Sequence, residues 1–260
     1  MLLRRFGRHI RNQDWFAVLI DIVVVVVGLF LAFQADRIWE EQREKQQEAE
    51  YIQRLISDLQ SDIPSIEYSI QLADLRLGFI ELLMTVSDEP QKALEYPAVF
   101  LVAVNQAAFT YTPQLTSHTF EDLRSTGNMR LILDQEVKAL LYKYYGFYTE
   151  QLQYRPLQFL TEFNHFKLAA GIKTLEQSNF IQDANLIIGP HELKEIQAIE
   201  LEPAAVLEAA KRLQNKPELV NWLPSLRSLQ LEQMEVHKIS LQNAKDALLK
   251  LQAYAAANGF

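Results

Sequence analysis

The chain has 260 residues, 49% of them apolar, with a formal charge of −8, eight glycines and no cysteine. That length and apolar content suffice for a sizeable buried core and exclude wholesale disorder. The missing cysteines exclude disulfide scaffolds, thiolate metal sites and cysteine nucleophiles. Charge is unevenly placed: Arg4, Arg5, Arg8 and Arg11 against Asp14 give the first fourteen residues a local +3, which leaves −11 for the rest. A remainder so acidic offers phosphates no basic patch, so nucleic acid is not an expected partner.

Residues 1–14 read as a basic arm, and 15–35 as a transmembrane helix. From Trp15 to Phe33 the run WFAVLIDIVVVVVGLFLAF carries one charge, Asp21. At 1.5 Å per residue it spans roughly 28 Å, close to the hydrocarbon core of a bilayer. A buried soluble helix rarely stays apolar on every face for so long. A cleaved signal peptide has a shorter apolar core, and the one plausible cut, after Ala35, would put Phe33 at a position that takes small residues. The arginines keep the arm in the cytoplasm, which places the rest of a bacterial protein in the periplasm, anchored in the inner membrane. Trp15 and Trp39 bracket the span as interfacial anchors.

At 100° per residue, Ala17, Asp21, Gly28, Ala32, Ala35 and Trp39 fall on one stripe of this helix, while Leu, Phe and Val take the remainder. Gly28 and Ala32 form a small-xxx-small pair that permits close helix approach. An intramembrane carboxylate costs about 2.5–3.5 kcal/mol on insertion scales unless it is neutral, paired or turned toward a partner. The stripe therefore predicts a packing face for a second copy or another membrane subunit. The bland alternative is that Asp21 is held neutral or draws water and headgroups to itself.

Residues 36–260 read as one helical domain. No breaker occurs from Asp36 to about Leu59, so the membrane helix is expected to continue outward. An apolar stripe follows at Ile52, Leu55, Ile56, Leu59, Ile63, Ile66 and Ile70, interrupted by Pro64 as a kink or a restart capped by Ser61 or Asp62. It resumes through Leu75, Phe79, Leu82 and Leu83 and stops before Pro90. Pro97 opens a short apolar helix to Ala108. The run Phe109–Pro113 reads as a loop or isolated strand. Thr119 with Asp122 suggests a capping box for a short helix ended by Gly127. Asp134 caps a long helix that Pro156 breaks or kinks. Further helices are expected at about 157–173, 192–199 and 203–214, and a last one from 225 to 257 with Met234, Leu241, Ala244, Leu248, Leu251 and Ala255 on one side. The fold class is all-α: a transmembrane helix continuing into an antiparallel helical bundle, with short helices as a cap.

Chemistry is sparse. His9, His118, His165, His191 and His237 lack a second histidine at ligand spacing, and His118 with Glu121 and Asp122 suits an ordinary polar helix face. No nucleophile elbow, Walker loop or dinucleotide fingerprint occurs. No enzyme activity, cofactor or metal is expected. The tyrosines around Tyr144, Tyr145 and Tyr148 suit a pocket or interface, or else divide between core and rim.

Two stretches carry a resemblance. The first runs from Asp21 through Gly28 to Trp39-Glu40; the second is Phe120-Glu-Asp-Leu-Arg-Ser-Thr-Gly127-Asn128-Met-Arg-Leu-Ile132, continuing into Leu141-Tyr-Lys-Tyr144-Tyr145. Together they resemble a broad bacterial family of single-pass membrane proteins described as a domain of unknown function. That family usually has Glu at the intramembrane acidic position and Asn-Trp-Asn before the exit, where this chain has Asp21 and Arg37-Ile38-Trp39. The resemblance implies topology and makes Asp21 a family feature, without implying an activity.

Three functions follow as expectations. The leading one is a non-catalytic membrane-anchored scaffold, accessory subunit or sensor-like partner that contacts lipid and assembles with itself or another membrane subunit. The second is an ion-coupled single-helix subunit in which Asp21 carries a proton beside a polytopic partner. The third is a periplasmic small-ligand-binding module.

Overall fold

A computed structural model describes residues 15–113, 115–152, 163, 170–173, 177, 196 and 201–260. Helix α1 runs from Trp15 to Asp88 without a break. A 3₁₀ turn at Pro90–Leu94 leads to α2 (Pro97–Gln106), α3 (His118–Ser125), a second 3₁₀ turn at Asn128–Arg130, and α4 (Gln135–Leu152). The described C-terminal part holds α5 (Pro203–Gln214), α6 (Pro217–Val220) and α7 (Leu223–Asn258). No strand occurs among the described residues, so the fold is all-α as its composition predicts. The basic arm, the helices expected at 192–199 and most of 157–173, and the break at Pro156 lie outside them.

The chain divides into two units, one reaching Ile52 and one spanning Gln53–Phe260. In the first, α1 is long and apolar enough to cross a membrane, with a window of mean hydropathy 2.2 that none of the described residues buries.

In the second unit the helix signals are local and mostly legible. Pro97 sits in the first turn of α2, where its missing N–H is no loss. Asp134 Oδ1 accepts the backbone N–H groups of Glu136 at 2.7 Å and Val137 at 3.1 Å, the expected cap of α4. Gly127 adopts φ 76° just past α3, a left-handed conformation open to glycine without a Cβ penalty. The expected capping box does not form, and no side chain caps the N-terminus of α3. Ser117 takes the N-cap position and donates its hydroxyl to Glu121 Oε1 at 2.8 Å, while Thr119 is buried inside the first turn. Pro64 does not end α1: its ring lies on the exposed side, where the lost hydrogen bond is tolerated.

Helices α1 and α7 run antiparallel. Glu67 pairs with Lys245 at 2.8 Å, and further along Glu81 pairs with Arg227 at 3.2 Å. Their buried residues recur at alternating steps of three and four, the spacing of coiled-coil-like packing. On α1 one line is apolar (Leu59, Ile66, Ala73, Ile80), and the other reads Leu55, Asp62, Ser69, Arg76, Leu83. On α7 the buried line is Leu223, Leu226, Gln230, Gln233, His237, Ser240, Ala244, Ala247, Leu251. The side expected to be buried on α7 is thus displaced: Met234, Leu241 and Leu248 only flank this line, half-buried. One end of the helix pair joins an apolar core with Phe79, Ile80 and Leu83, α2 and α5. Midway along, polar layers replace apolar ones. Helix α4 packs against α7 and is tied to it where Lys250 meets Asp134 at 3.3 Å and also Glu136.

Candidate functional site

The polar layers coincide with a segment that forms no helix. Residues 109–117, of which all but 114 are described, follow α2 as an irregular strap alongside α1 and α7. An extended segment without a strand partner leaves backbone groups that nearby side chains or water must satisfy. Three helices supply them. From α7, Gln230 Nε2 donates to the Phe109 carbonyl at 2.8 Å, and His237 hydrogen-bonds the Tyr111 backbone. From α1, Asp62 Oδ1 accepts the Thr116 N–H at 2.9 Å. From α4, the Tyr145 hydroxyl donates to the Thr116 carbonyl at 3.4 Å, and the Tyr144 hydroxyl completes Asp62 through Oδ2 at 2.9 Å. The Tyr111 ring meets Tyr68 of α1 edge-on, with centroids 5.6 Å apart.

The electrostatics follow from this burial. Asp62 is 1% exposed, and desolvation raises its carboxyl above the ordinary value against the lowering effect of the Thr116 and Tyr144 hydrogen bonds; Asp58 one turn away pushes it further up. Burial, then the two carboxylates, pushes the Tyr145 hydroxyl up. His237, 1% exposed, is pushed down to about 4 by burial, opposed by its bond to the Tyr111 backbone. It is therefore a neutral imidazole at physiological pH. Asp62 is a core residue tied to two other elements and not a cap for a helix restarting at Pro64.

Of the tyrosines singled out by sequence, Tyr144 and Tyr145 are buried, at 0% and 6%. Phe120 stacks on Tyr145 with centroids 4.4 Å apart. Tyr142 is 47% exposed and meets the edge of Phe120 at the rim. The side chain of Tyr148 lies outside the described residues. The cluster divides between core and rim, and its two inner members hold a carboxylate and a strap. His118, Glu121 and Asp122 form a polar helix face: Asp122 reaches Arg54 at 3.8 Å and Glu121 takes the Ser117 hydroxyl. Among the described residues no group of three His, Asp or Glu is placed to hold a metal ion.

On the apolar stretch of α1, the backbone is helical throughout, so the spacing that aligns Asp21, Gly28, Ala32 and Ala35 holds. Asp21 is half-exposed; Gly28, Ala32 and Ala35 are exposed, and Trp39 is 73% exposed. The side chains of Trp15 and Ala17 lie outside the described residues. A Cβ at Gly28 would meet nothing within 4 Å. The packing of the described residues therefore does not call for glycine there.

The chain matches no protein-family model, no curated protein and no solved structure.

The polar seam of α1 and α7 is what residue-by-residue reading missed. Its signal was present as an unbroken three-four spacing running through Asp62, Ser69 and Arg76, and through Gln230, Gln233, His237 and Ser240. A search restricted to apolar residues cannot see it.

Proposed function

We propose that the chain is a single-pass bacterial inner-membrane protein, with residues 1–14 in the cytoplasm and the helical domain in the periplasm. It serves as a non-catalytic scaffold or accessory subunit that assembles through the Ala17, Asp21, Gly28, Ala32 and Ala35 face. One observation carries this reading: large apolar side chains from Phe16 to Phe33 stand exposed, Phe16 at 71% and Phe33 at 61%, with none of the described residues packed over them. A continuous apolar cylinder of this size is solvated by lipid and not by water. Gly28 adds to the case, since glycine inside a helix costs about 1 kcal/mol relative to alanine and nothing among the described residues requires it. A close neighbouring helix gives that glycine a use. The resemblance to single-pass membrane proteins with an intramembrane acid agrees with the same topology.

The absence of native cysteine makes the test direct. In intact cells with a permeabilised outer membrane, a membrane-impermeant maleimide should label Ser61→Cys and spare Asn12→Cys. Recovery in the soluble fraction, or the reverse labelling, would end the topological reading. Asp21→Leu and Gly28→Leu should each lose the oligomer or co-purifying subunit seen with the native chain. If both retain it, the face is not the interface.

A further inference from the structure

Two side chains of the seam serve neither the strap nor the helix pairing. Arg76 is 3% exposed and Gln233 is 6% exposed. Measured from the Glu81–Arg227 pair, Arg76 lies five residues along α1 and Gln233 six along α7. At 1.5 Å per residue those are rises of about 8 Å and about 9 Å, so the two side chains stand at one level between the antiparallel helices. Among the described residues, no carboxylate lies within ion-pairing distance of Arg76, and neither side chain has a hydrogen-bond partner. Burial lowers the guanidinium to about 10, and the other group acting on its charge is Tyr68. At neutral pH it thus remains a full positive charge with five N–H donors, on a side chain that is almost wholly buried. Further along α7, His237 Nδ1, Ser240 Oγ and Asn243 Nδ2 are buried and meet no protein partner, so the polar lining extends beyond Arg76.

A buried charge needs a counter-charge as well as acceptors. Water supplies acceptors alone; an oxyanion supplies both. The planar guanidinium fork fits two oxygens of one anion side by side, and a primary amide adds a neutral donor. We propose that Arg76 and Gln233, beside Tyr68, form an internal site for a small oxyanion, a carboxylate or a phosphate, held between α1 and α7.

The test uses the full-length chain in detergent, dialysed free of oxyanions and held at constant ionic strength with chloride. Acetate and inorganic phosphate are titrated separately while Tm is recorded. The native protein should gain Tm with the logarithm of at least one of the two, and which one responds identifies the anion class. Arg76→Lys, which keeps the charge and loses the fork, should shift the midpoint of that response by about tenfold or more. Arg76→Met should abolish it, and in anion-free buffer should melt above the native protein because an uncompensated buried charge is gone. Equal responses of native and Arg76→Met proteins to both anions would overturn the proposal. So would a native Tm that neither anion moves.

Discussion

The Tyr144 hydroxyl donates a 2.9 Å hydrogen bond to Asp62 Oδ2, joining α4 to α1 across 82 residues of sequence. The same carboxylate holds the Thr116 amide through its other oxygen, so one buried acid fastens two helices and the strap. Tyr144→Phe removes one hydrogen bond from that buried carboxylate, and should destabilise the fold by about 1–3 kcal/mol in chemical denaturation. Asp62→Leu, which strands both the tyrosine hydroxyl and the Thr116 amide, should cost more than Tyr144→Phe. Equal losses would mean that the Thr116 contact contributes nothing.

His237 and Asp62 give the strap opposite responses to acid. The folded value of His237, about 4, lies below its ordinary 6.5, so the neutral form is the one the fold favours. Its contribution is complete above pH 6.5 and is lost as pH falls from 6.5 toward 4, by up to about 3 kcal/mol. Asp62 is raised above its ordinary 3.8, so its contribution is complete below 3.8 and is lost as pH rises through the folded value. His237→Gln keeps a donor for the Tyr111 backbone without titrating. It should flatten the fall in stability between pH 6.5 and 4, and hydrogen exchange at the strap amides should lose its acid sensitivity over the same window. An unchanged pH profile in this variant would remove His237 as the cause.

Asp134 and Lys250 share a contact of 3.3 Å, yet they are expected to differ in weight. Asp134 caps α4 through two backbone N–H groups, and its carboxyl is lowered chiefly by the Val137 amide. Asp134→Ala should cost about 1 kcal/mol, the ordinary value of a lost N-cap. That stabilisation is present above pH 3.8 and is lost as pH falls through the lower folded value. Lys250→Ala should have a smaller effect that fades as salt is added, because its partners are solvated. A Lys250→Ala loss as large as that of Asp134→Ala would mean that the ion pair and not the cap holds this corner.

Pro64 stands on the exposed side of α1, inside an uninterrupted helix. Pro64→Ala restores the N–H that can bond the Gln60 carbonyl, and relieves the clash of the ring with that turn. The variant should gain about 1–3 kcal/mol in thermal or chemical denaturation with helical content unchanged. A loss of stability would show that proline at position 64 is required by the packing around Asp62.

The amino-acid sequence alone determined what depends on near neighbours. The apolar run of α1, the first-turn proline of α2, the Asp134 cap and the left-handed Gly127 are each decided within a few residues, by steric and hydrogen-bonding rules that need no distant partner. Tertiary structure decided which polar residues lie inside. Asp62 stands two residues before a proline and reads as a helix cap; it becomes a core residue because Thr116 and Tyr144, remote in sequence, arrive to bond it. Gln230 and His237 read as the polar side of an amphipathic helix; they face inward because an irregular strap brings unmatched backbone carbonyls to them. The reason is energetic: a polar side chain is tolerated in a core where its hydrogen bonds are met, and those partners come from parts of the chain that local periodicity cannot locate.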